Sequence, residues 1–408
     1  MLFFIKTFIM FRNFQGCSRV NELEKLIKLR NILASKFVGR DMQIDAILVT
    51  LISRESCILV SPPGTAKTLM IETMASLINA KYFYYLLTPF TEPDELLGPI
   101  DIASLKSGKL KRITTNRLPD ADIVFLDEIF KASSAIRNTL LDIILYRRIL
   151  NGIEYVPIKL IALYTASNEV STDKEDLAFY DRLTVRSFFG YVEETLLNEL
   201  IDAGIRIEIG RDDSIEPIMS KEDILKLNEL VNNRFSSLTD RDDIKRLFIG
   251  ALSYLQRKGI QISDRRKIKI LKIATAYSVL YNDNDVLPEH LSMAFLTVAP
   301  QNADDIEKIK EMLLKLKLSR ISDYLSRIEV LIAESENLLQ FYKRKKDETS
   351  TINFIEIFET FLGKVKQEVS MMPAHPLLKP QFIKLEQNLT KLLDILENIR
   401  GSSSNGEN

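Results

Sequence analysis

Residues 61–68, with the sequence Ser-Pro-Pro-Gly-Thr-Ala-Lys-Thr, have the residue types and spacing of a loop that binds polyphosphate groups. An apolar run that we predict to be a strand ends at Val60, and a helical stretch begins at Leu69. Backbone N–H groups of such a loop and of the following helix N-terminus converge on phosphate oxygens. Lys67 would place its ammonium group against the β- and γ-phosphates, and the Thr68 hydroxyl would ligate Mg²⁺. Taken alone, these residues are also compatible with a Pro/Gly turn before a helix.

The loop departs from the pattern Gly-x-x-x-x-Gly-Lys-Ser/Thr at two positions. Ser61 stands in place of the first glycine and Ala66 in place of the second, whereas the Lys-Thr pair is kept. We expect a nucleotide to contact the following loop residues: Pro63, Gly64, Thr65, Ala66, Lys67 and Thr68.

Two further apolar runs end in polar side chains that suit phosphoanhydride hydrolysis. Residues 123–126 are followed by Asp127 and Glu128, and residues 158–164 lead to Asn168. Because the carboxyl ends of parallel strands meet at one edge of a sheet, these side chains would face the phosphate loop. Asp127 would hold Mg²⁺ directly or through water, and Glu128 would polarise the attacking water. Asn168 would orient that water or contact the γ-phosphate, although asparagine is also common at the start of a turn.

The overall composition argues against several classes of protein. With 46% hydrophobic and 27% charged residues among 408, the chain can build more than one core. The chain has 55 Lys plus Arg and 56 Asp plus Glu, which gives a net charge of -1. The chain as a whole therefore lacks the excess of positive charge that is typical of proteins that bind nucleic acid or an anionic membrane. Two cysteines and two histidines supply neither a disulfide framework nor a zinc site. We therefore expect a cytoplasmic protein without a structural metal.

The first ten residues are apolar, but Lys6 interrupts them and Arg12 follows. They are shorter than the roughly 20 residues of a transmembrane helix, and the order of charges does not fit a signal peptide. We predict neither, and interpret residues 1–20 as an N-terminal extension that reflects an upstream addition or an internal start at Met10.

Short apolar runs that alternate with helical stretches predict an α/β fold, in which helices cover both faces of a parallel sheet. We assign this three-layer core to residues 21–195. Residues 196–300 are predicted to form an all-helical lid, and residues 301–400 a helical bundle or coiled coil. Residues 401–408 lack apolar side chains and are predicted to be a disordered tail.

Taken together, residues 37–298 resemble the AAA+ superfamily, and specifically the RavA-like branch of the MoxR family. Residues 62–68 look like the MoxR form of the Walker A loop, in which alanine before lysine is usual, so only Ser61 departs from it. Residues 124–132 are similar to the Walker B segment of the branch, and Asn168 takes the position called sensor 1. The resemblance implies a P-loop AAA+ core with ATP and Mg²⁺ as ligands, in a homo-oligomeric, hexameric ring that hydrolyses ATP.

Two stretches resemble insertions that this branch adds to the ATPase core. Residues 91–112 resemble a hairpin insertion within the second core helix, and residues 147–156 resemble the hairpin before sensor 1. The second stretch contains Asn151 and Gly152, and Asn-Gly is independently a strong signal for a two-residue hairpin turn. The resemblance implies that both hairpins face the pore of the ring.

Residues 178–186 resemble the segment that carries the arginine finger, which reaches the ATP of a neighbouring subunit. We assign this role to Arg182, with Arg186 as the second choice. The alternative is that Arg182 is a helix-end arginine that pairs with Asp181 or Glu175.

Residues 262–266 resemble the sensor 2 site at the start of a lid helix, where Arg265 fits better and Arg266 would be solvated. Val38 and Gly39 resemble the segment that packs on adenine before the phosphate loop. A plain turn between helices is the alternative for that segment.

The resemblance implies a chaperone-like motor that remodels, activates or assembles a protein, and MoxR relatives typically act with proteins that carry a von Willebrand factor A domain. Neither nucleic acid nor a membrane is expected as a partner. Two alternatives stay open: an ATP-gated scaffold with little turnover, which Ser61 weakly supports, and a nucleic-acid motor. The motor would use the basic hairpin residues Lys106, Lys109, Lys111 and Arg112. We favour a solvated hairpin, because aromatic residues that could stack on bases are absent there.

The RavA-like branch also carries a small β-rich insertion in its helical tail region. No such cluster of strands is predicted after Asp304. A partner bound through that insertion is therefore not implied for this chain.

Overall fold

The computed structural model describes residues 21–171, 173–209, 216–316, 321–344, 348–370, 372 and 378–404. The chain divides into two compact units, residues 17–318 and residues 319–408. The N-terminal extension predicted for residues 1–20 lies outside the described residues. The first unit holds the α/β core, and the second is helical.

Short strands and helices alternate in the first unit. The strands are β1 (Ser56–Val60), β2 (Ile78–Asn79), β3 (Tyr82–Leu86), β4 (Ile123–Asp127), β5 (Arg148–Asn151), β6 (Glu154–Pro157), β7 (Ala162–Ser167), β8 (Val185–Phe188) and β9 (Met219–Ser220). The helices are α1 (Asn21–Lys36), α2 (Asp41–Ser53), α3 (Lys67–Ser76), α4 (Pro93–Leu97), α5 (Ile102–Lys106), α6 (Ser134–Tyr146), α7 (Lys174–Tyr180), α8 (Leu197–Glu208), α9 (Lys221–Ser237), α10 (Asp242–Arg257), α11 (Asp264–Leu280), α12 (Pro288–Val298) and α13 (Asp304–Lys315).

The main sheet has five parallel strands in the order β3-β4-β7-β1-β8. The central strands β1, β4 and β7 are apolar and almost entirely buried, as a sheet covered on both faces requires. The prediction of an α/β fold with a buried parallel sheet is confirmed. Two details differ. β7 begins at Ala162 rather than at Ile158, because Leu160 and Ile161 are buried by packing although they precede the hydrogen-bonded strand. The edge strand β8 was not predicted.

Helix α2 joins the sheet to the helical region that follows it. It packs on β1, β7 and β8 on one side and on α9 and α11 on the other. Its Asp45 is fully buried and accepts two hydrogen bonds from Arg30 of α1, at 2.6 and 3.1 Å, and one from the Tyr281 hydroxyl at 2.6 Å. The carboxylate raises the pKa of Arg30 against the opposing effect of burial. This network ties α1, α2 and the end of α11 together.

The two predicted insertions lie side by side. β5 and β6 form an antiparallel hairpin, as predicted, but Asn151 pairs with Glu154, so the turn residues are Gly152 and Ile153 rather than Asn-Gly. The earlier insertion is closed by an isolated bridge between Ile100 and Arg112 and contains helix α5. It is therefore a helix-capped loop rather than a plain hairpin.

The second unit consists of α14 (Ile321–Arg344), α15 (Glu348–Ser370) and α16 (Lys379–Ser404). Their apolar faces form one core around Phe354, Phe358 and Leu392, which confirms the predicted C-terminal helical region. Helix α16 runs to Ser404, so the prediction of a disordered tail from Gly401 is wrong for its first four residues, because extending an existing helix costs little. Residues 405–408 lie outside the described residues.

None of the helices in the described residues combines the length and the hydropathy of a bilayer-spanning segment.

Candidate active site

The phosphate loop follows β1 and ends where α3 begins at Lys67. Gly64 and Ala66 both have left-handed backbone conformations, with φ of 76° and 64°. This conformation costs an L-residue about 1–2 kcal/mol, so the loop keeps a glycine-like geometry at Ala66 despite the side chain. Pro63, Gly64 and Ala66 are exposed, whereas Thr65 is buried.

The ammonium group of Lys67 lies inside the loop. Nζ donates to the carbonyl oxygens of Ser61 and Pro62, at 2.8 and 3.2 Å, and to Asn168 Oδ1 at 3.2 Å. Burial lowers the pKa of Lys67, and the charges of Asp127 and Glu128 oppose this effect. The loop therefore holds a cation among oxygen acceptors, which is the arrangement that a phosphate group can join.

The departure at Ser61 is accommodated within the loop. Its hydroxyl is buried and lies 2.6 Å from the Thr65 hydroxyl, which in turn donates to the Pro62 carbonyl at 2.9 Å. Lys67 Nζ is 3.2 Å from Ser61 Oγ. The serine side chain is thus bonded to the loop itself and leaves the loop opening free.

Thr68 and Asp127 bring two oxygen donors together. Thr68 Oγ1 lies 3.4 Å from Asp127 Oδ2, and Asp127 Oδ1 accepts a hydrogen bond from the backbone N–H of Glu128 at 2.9 Å. A hydroxyl and a carboxylate are donors that suit Mg²⁺, which usually completes its shell with water and substrate phosphates. Within the described residues, no group of three or more His, Cys, Asp or Glu side chains is placed to hold a metal by itself.

Asn168 connects the lysine to the second carboxylate. Its Nδ2 donates to Glu128 Oε1 at 2.8 Å, while its Oδ1 accepts from Lys67. Glu128 has a left-handed backbone with φ of 55°, which for a non-glycine residue is a sign of local strain. Lys131 Nζ lies 3.5 Å from Glu128 Oε2, a contact that the sequence analysis missed although Lys131 is three residues further along. The structure therefore brings Lys67, Asn168 and Glu128 into one hydrogen-bonded chain.

Arg182 and Arg265 both lie next to Asp181. Arg182 is partly buried and donates to the Ala178 carbonyl. Arg265 is half exposed, with Nη1 4.0 Å from Asp181 Oδ2. In the described part of the chain, neither arginine makes a hydrogen bond or ion pair with Lys67 or its neighbours, so the structure leaves their roles as predictions.

The two alternative arginines, Arg186 and Arg266, are buried and bonded to backbone carbonyls. Arg186 is buried, donates to the carbonyls of Pro300 and Tyr180 at 2.8 and 2.9 Å, and lies over the Tyr180 ring. Arg266 is only 4% exposed and donates to the carbonyls of Leu183 and Thr184 at 2.9 and 3.1 Å. Burial lowers the pKa of both arginines. The prediction that Arg266 is solvated is wrong, because α11 directs its side chain against the backbone carbonyls of Leu183 and Thr184.

The turn at Val38 and Gly39 lies against the segment after β8. A Cβ on Gly39 would approach Leu196 Cδ1 to 3.1 Å and Val192 Cγ1 to 3.4 Å. Arg40 donates to the Gly190 carbonyl at 2.9 Å. The turn therefore packs on residues 192 and 196, just before helix α8. Contact of Val38 and Gly39 with adenine stays a prediction.

The amino-acid sequence of this chain is similar to those of known proteins. The family model described as the MoxR domain in the MoxR-vWA-beta-propeller ternary systems matches residues 24–229, half of the chain. This chain belongs to the MoxR family. An uncharacterised protein of Methanocaldococcus jannaschii is 38% identical over 272 residues, which cover 64% of this chain and 70% of the relative.

Two further proteins are similar to this MoxR-family chain, one in sequence and one in fold. Chaperone MoxR1 of Mycobacterium tuberculosis is 25% identical over 224 residues, 53% of this chain and 56% of MoxR1. A solved structure from Cytophaga hutchinsonii, assigned as an ATPase, matches with a TM-score of 0.57 and 17% identity, over 72% of this chain and 94% of that structure. This second likeness concerns the fold. Membership in the narrower RavA-like branch stays a prediction.

Proposed function

We propose that this chain is an ATP-hydrolysing ring ATPase that remodels, activates or assembles protein partners. The observation that carries the proposal is the hydrogen-bonded chain of Lys67, Asn168 and Glu128, next to Thr68 and Asp127, at the carboxyl ends of β1, β4 and β7. A cation, a pair of metal-type oxygen donors and a carboxylate are the groups that phosphoanhydride hydrolysis needs.

In this mechanism the loop binds and orients ATP. Lys67 exchanges its bonds to the Ser61 and Pro62 carbonyls for the β- and γ-phosphates, while the amides at the start of α3 donate to phosphate oxygens. Thr68 and Asp127 would hold Mg²⁺, which would supply charge neutralisation at the phosphates.

Glu128 and Asn168 act on the water. The Glu128 carboxylate accepts a hydrogen bond from the attacking water and then its proton. Asn168 donates to Glu128 Oε1 at 2.8 Å, which fixes the orientation of that carboxylate. Lys131 Nζ lies 3.5 Å from the other oxygen, Oε2, and holds the second side of the carboxylate.

Arg182 is assigned as the finger that acts on the ATP of the next subunit in a hexameric ring. Two observations support this choice over Arg186: Arg182 is partly exposed, whereas Arg186 is buried and bonded within its own subunit. Arg265 is assigned as sensor 2 for the same reason, because Arg266 is buried.

The two insertions favour a protein partner over nucleic acid. Arg112, one of the four basic residues there, is committed to an ion pair with Asp94. Apolar side chains are exposed on the same insertions, among them Ile153 at 96%, Ile102 at 67% and Leu150 at 52%. Exposed apolar groups suit contact with a polypeptide, whereas single-stranded nucleic acid is bound by aromatic stacking and a continuous cationic groove.

The family description supports a von Willebrand factor A domain protein as the partner, in a system that also contains a β-propeller. The β-rich insertion of the RavA-like branch has no counterpart among the described residues after Asp304, which are helical. We therefore assign partner contact to the pore-facing insertions and not to such a module.

Steady-state phosphate release tests this function. We expect basal ATPase activity that a candidate von Willebrand factor A partner changes and that DNA or RNA leaves unchanged. Stimulation by nucleic acid alone would favour the nucleic-acid motor. Tight ATP binding with negligible turnover under all conditions would favour the scaffold.

Subunit mixing tests the ring. Arg182→Ala should bind ATP normally but lose turnover by up to roughly 10³- to 10⁵-fold. Glu128→Gln keeps Arg182, and Arg182→Ala keeps Glu128, so mixed rings contain some intact interfaces and should regain part of the lost activity. No recovery despite verified subunit exchange, or a monomer at every nucleotide concentration in sedimentation, would remove Arg182 from the site.

A further inference from the structure

A polar cavity, which we call the basal cavity, lies at the opposite edge of the sheet from the phosphate loop. Its volume is about 350 Å³, and its ionisable lining residues are Arg54, Glu55, Arg147, Lys269 and Lys272. It borders the first residue of β1, whereas the loop follows the last. At about 3.3 Å per residue, the length of β1 separates the two sites by roughly 13 Å.

Four cationic side chains and a single carboxylate line the basal cavity. Lys269 and Lys272 donate to the same oxygen of Glu55, Oε1, at 2.6 and 2.7 Å. The other oxygen accepts from the Thr184 hydroxyl at 3.0 Å. Both oxygens of Glu55 are therefore occupied, and the cavity keeps an excess of positive charge and of N–H donors.

Arg147 shows the imbalance most directly. Its Nη2 donates to the carbonyls of Arg54 and Glu55, at 2.7 and 3.4 Å, whereas its Nη1 is buried without a hydrogen-bond partner among the described residues. Burial lowers the pKa of Arg147 to about 10, although Glu55 opposes the shift. A buried charged donor left without an acceptor is costly, so the surroundings of Arg147 favour additional negative charge.

Backbone geometry adds an independent observation. Arg54 and Arg147 both stand at helix C-caps in left-handed conformations, with φ of 54° and 51°. Glycine is the usual residue at such positions, because an L-residue there costs about 1–2 kcal/mol. The carbonyl ends of the two helices attract these cations in part, but they do not account for the unpaired Nη1.

We propose that the basal cavity binds a small phosphate-bearing anion. Arg54, Arg147, Lys269 and Lys272 give its lining four positive charges against the one carboxylate of Glu55, which favours a bound anion. The volume lies within the range of roughly 300–1,000 Å³ that is typical of small-molecule sites.

The cavity is lined by residues from separate segments of the chain, so a bound anion would link them. Lys269 and Lys272 belong to the lid helix α11, whereas Arg54 and Glu55 belong to the core. The carbonyl of Arg147 accepts from the Ile158 N–H at 2.8 Å, which closes the base of the β5–β6 hairpin. An anion that holds Arg147 therefore orders the hairpin base and joins it to the lid.

Isothermal titration with inorganic phosphate, tripolyphosphate and ATP tests the site. The titrated protein is Lys67→Ala, in which the phosphate loop lacks its cation, so failure of the ATPase proposal leaves this test intact. Binding by any of these anions supports the site, and their order of affinity tells a single phosphate from a polyphosphate or a nucleotide. No binding by any of the three anions would overturn the proposed site, whether or not an acidic peptide binds there.

Two added substitutions assign the binding to this cavity. Arg54→Gln and Lys272→Gln should each weaken it by roughly 10- to 100-fold, the effect of one charge-assisted hydrogen bond, because Lys269 still pairs with Glu55 and keeps the fold. Lys267→Gln removes a cation of α11 that does not line the cavity and should leave binding unchanged. Equal losses in all three variants would overturn the assignment. Slower amide exchange at Ile158 on binding supports the link to the hairpin, and unchanged exchange rejects it.

Discussion

Replacing Gly152 with alanine should separate the two insertions that are proposed to contact the partner. A Cβ at this position would lie 2.1 Å from the carbonyl oxygen of Leu110, and ordinary contacts begin at 3.4 Å, so the backbones must move apart by more than 1 Å. The φ of 77° adds about 1–2 kcal/mol for any L-residue. The neighbouring bond from the Arg112 N–H to Asn151 Oδ1, 2.7 Å long, would be lost, at a cost of roughly 0.5–1.5 kcal/mol.

Gly108 provides a matched control for this substitution. Its φ is 76°, but a Cβ there would meet no atom within 4 Å. Gly108→Ala therefore carries the same backbone cost in the same exposed region without the collision. A difference between the two variants isolates the contact between the insertions.

Amide hydrogen exchange at Arg112 measures the effect. In Gly152→Ala this amide should exchange roughly 2- to 12-fold faster, the equivalent of one lost hydrogen bond, and in Gly108→Ala it should keep the parent rate. Basal ATPase activity should be the same in both, while the response to a protein partner should fall in Gly152→Ala alone. Equal exchange at Arg112 in the two variants would refute the reasoning.

Three further predictions concern the site and the fold. Lys67→Ala should lose ATP binding because the phosphates lose their cation, whereas Glu128→Gln should bind ATP but no longer hydrolyse it. Isothermal titration measures the ATP affinity of both variants. An affinity of Lys67→Ala equal to that of the parent would contradict the assignment of the phosphate loop. Arg186→Ala should lower the melting temperature more than Arg182→Ala, since only the former is buried and bonded to two carbonyls; circular dichroism compares them, and equal melting temperatures would argue against this distinction. Asp45→Asn should reduce the free energy of unfolding by roughly 3–5 kcal/mol, because the largely buried guanidinium of Arg30 loses its counter-charge. Urea unfolding measures this change. A loss below about 1 kcal/mol would mean that the pair behaves as a surface salt bridge.

The fold and the centre of the candidate site could be predicted from the sequence because their signals are local. An apolar run, a loop with Lys67, and a helix are adjacent in the chain, and the run before Asp127 is continuous. Parallel strands then bring their carboxyl ends to one edge, which is a general property of such sheets. Asn168 lies within hydrogen-bonding distance of Lys67 and Glu128 because all three follow or end strands at that edge.

The roles of neighbouring arginines could not be read from the sequence. Arg265 and Arg266 are consecutive residues, which a helix turns about 100° apart, and nothing local indicates which of them faces the interior. The structure buries Arg266 against the backbone carbonyls of Leu183 and Thr184, which lie 83 and 82 residues earlier in the chain. The same long-range packing decides that Arg186 is structural.

The contact between the insertions and the basal cavity were likewise decided only by the tertiary structure. Leu110 and Gly152 give no sign in the sequence that one backbone passes against the other. Arg54, Arg147 and Lys272 are separated by long stretches of chain and form no motif. Composition and periodicity report how one segment meets solvent, whereas these features depend on which distant segments share a surface.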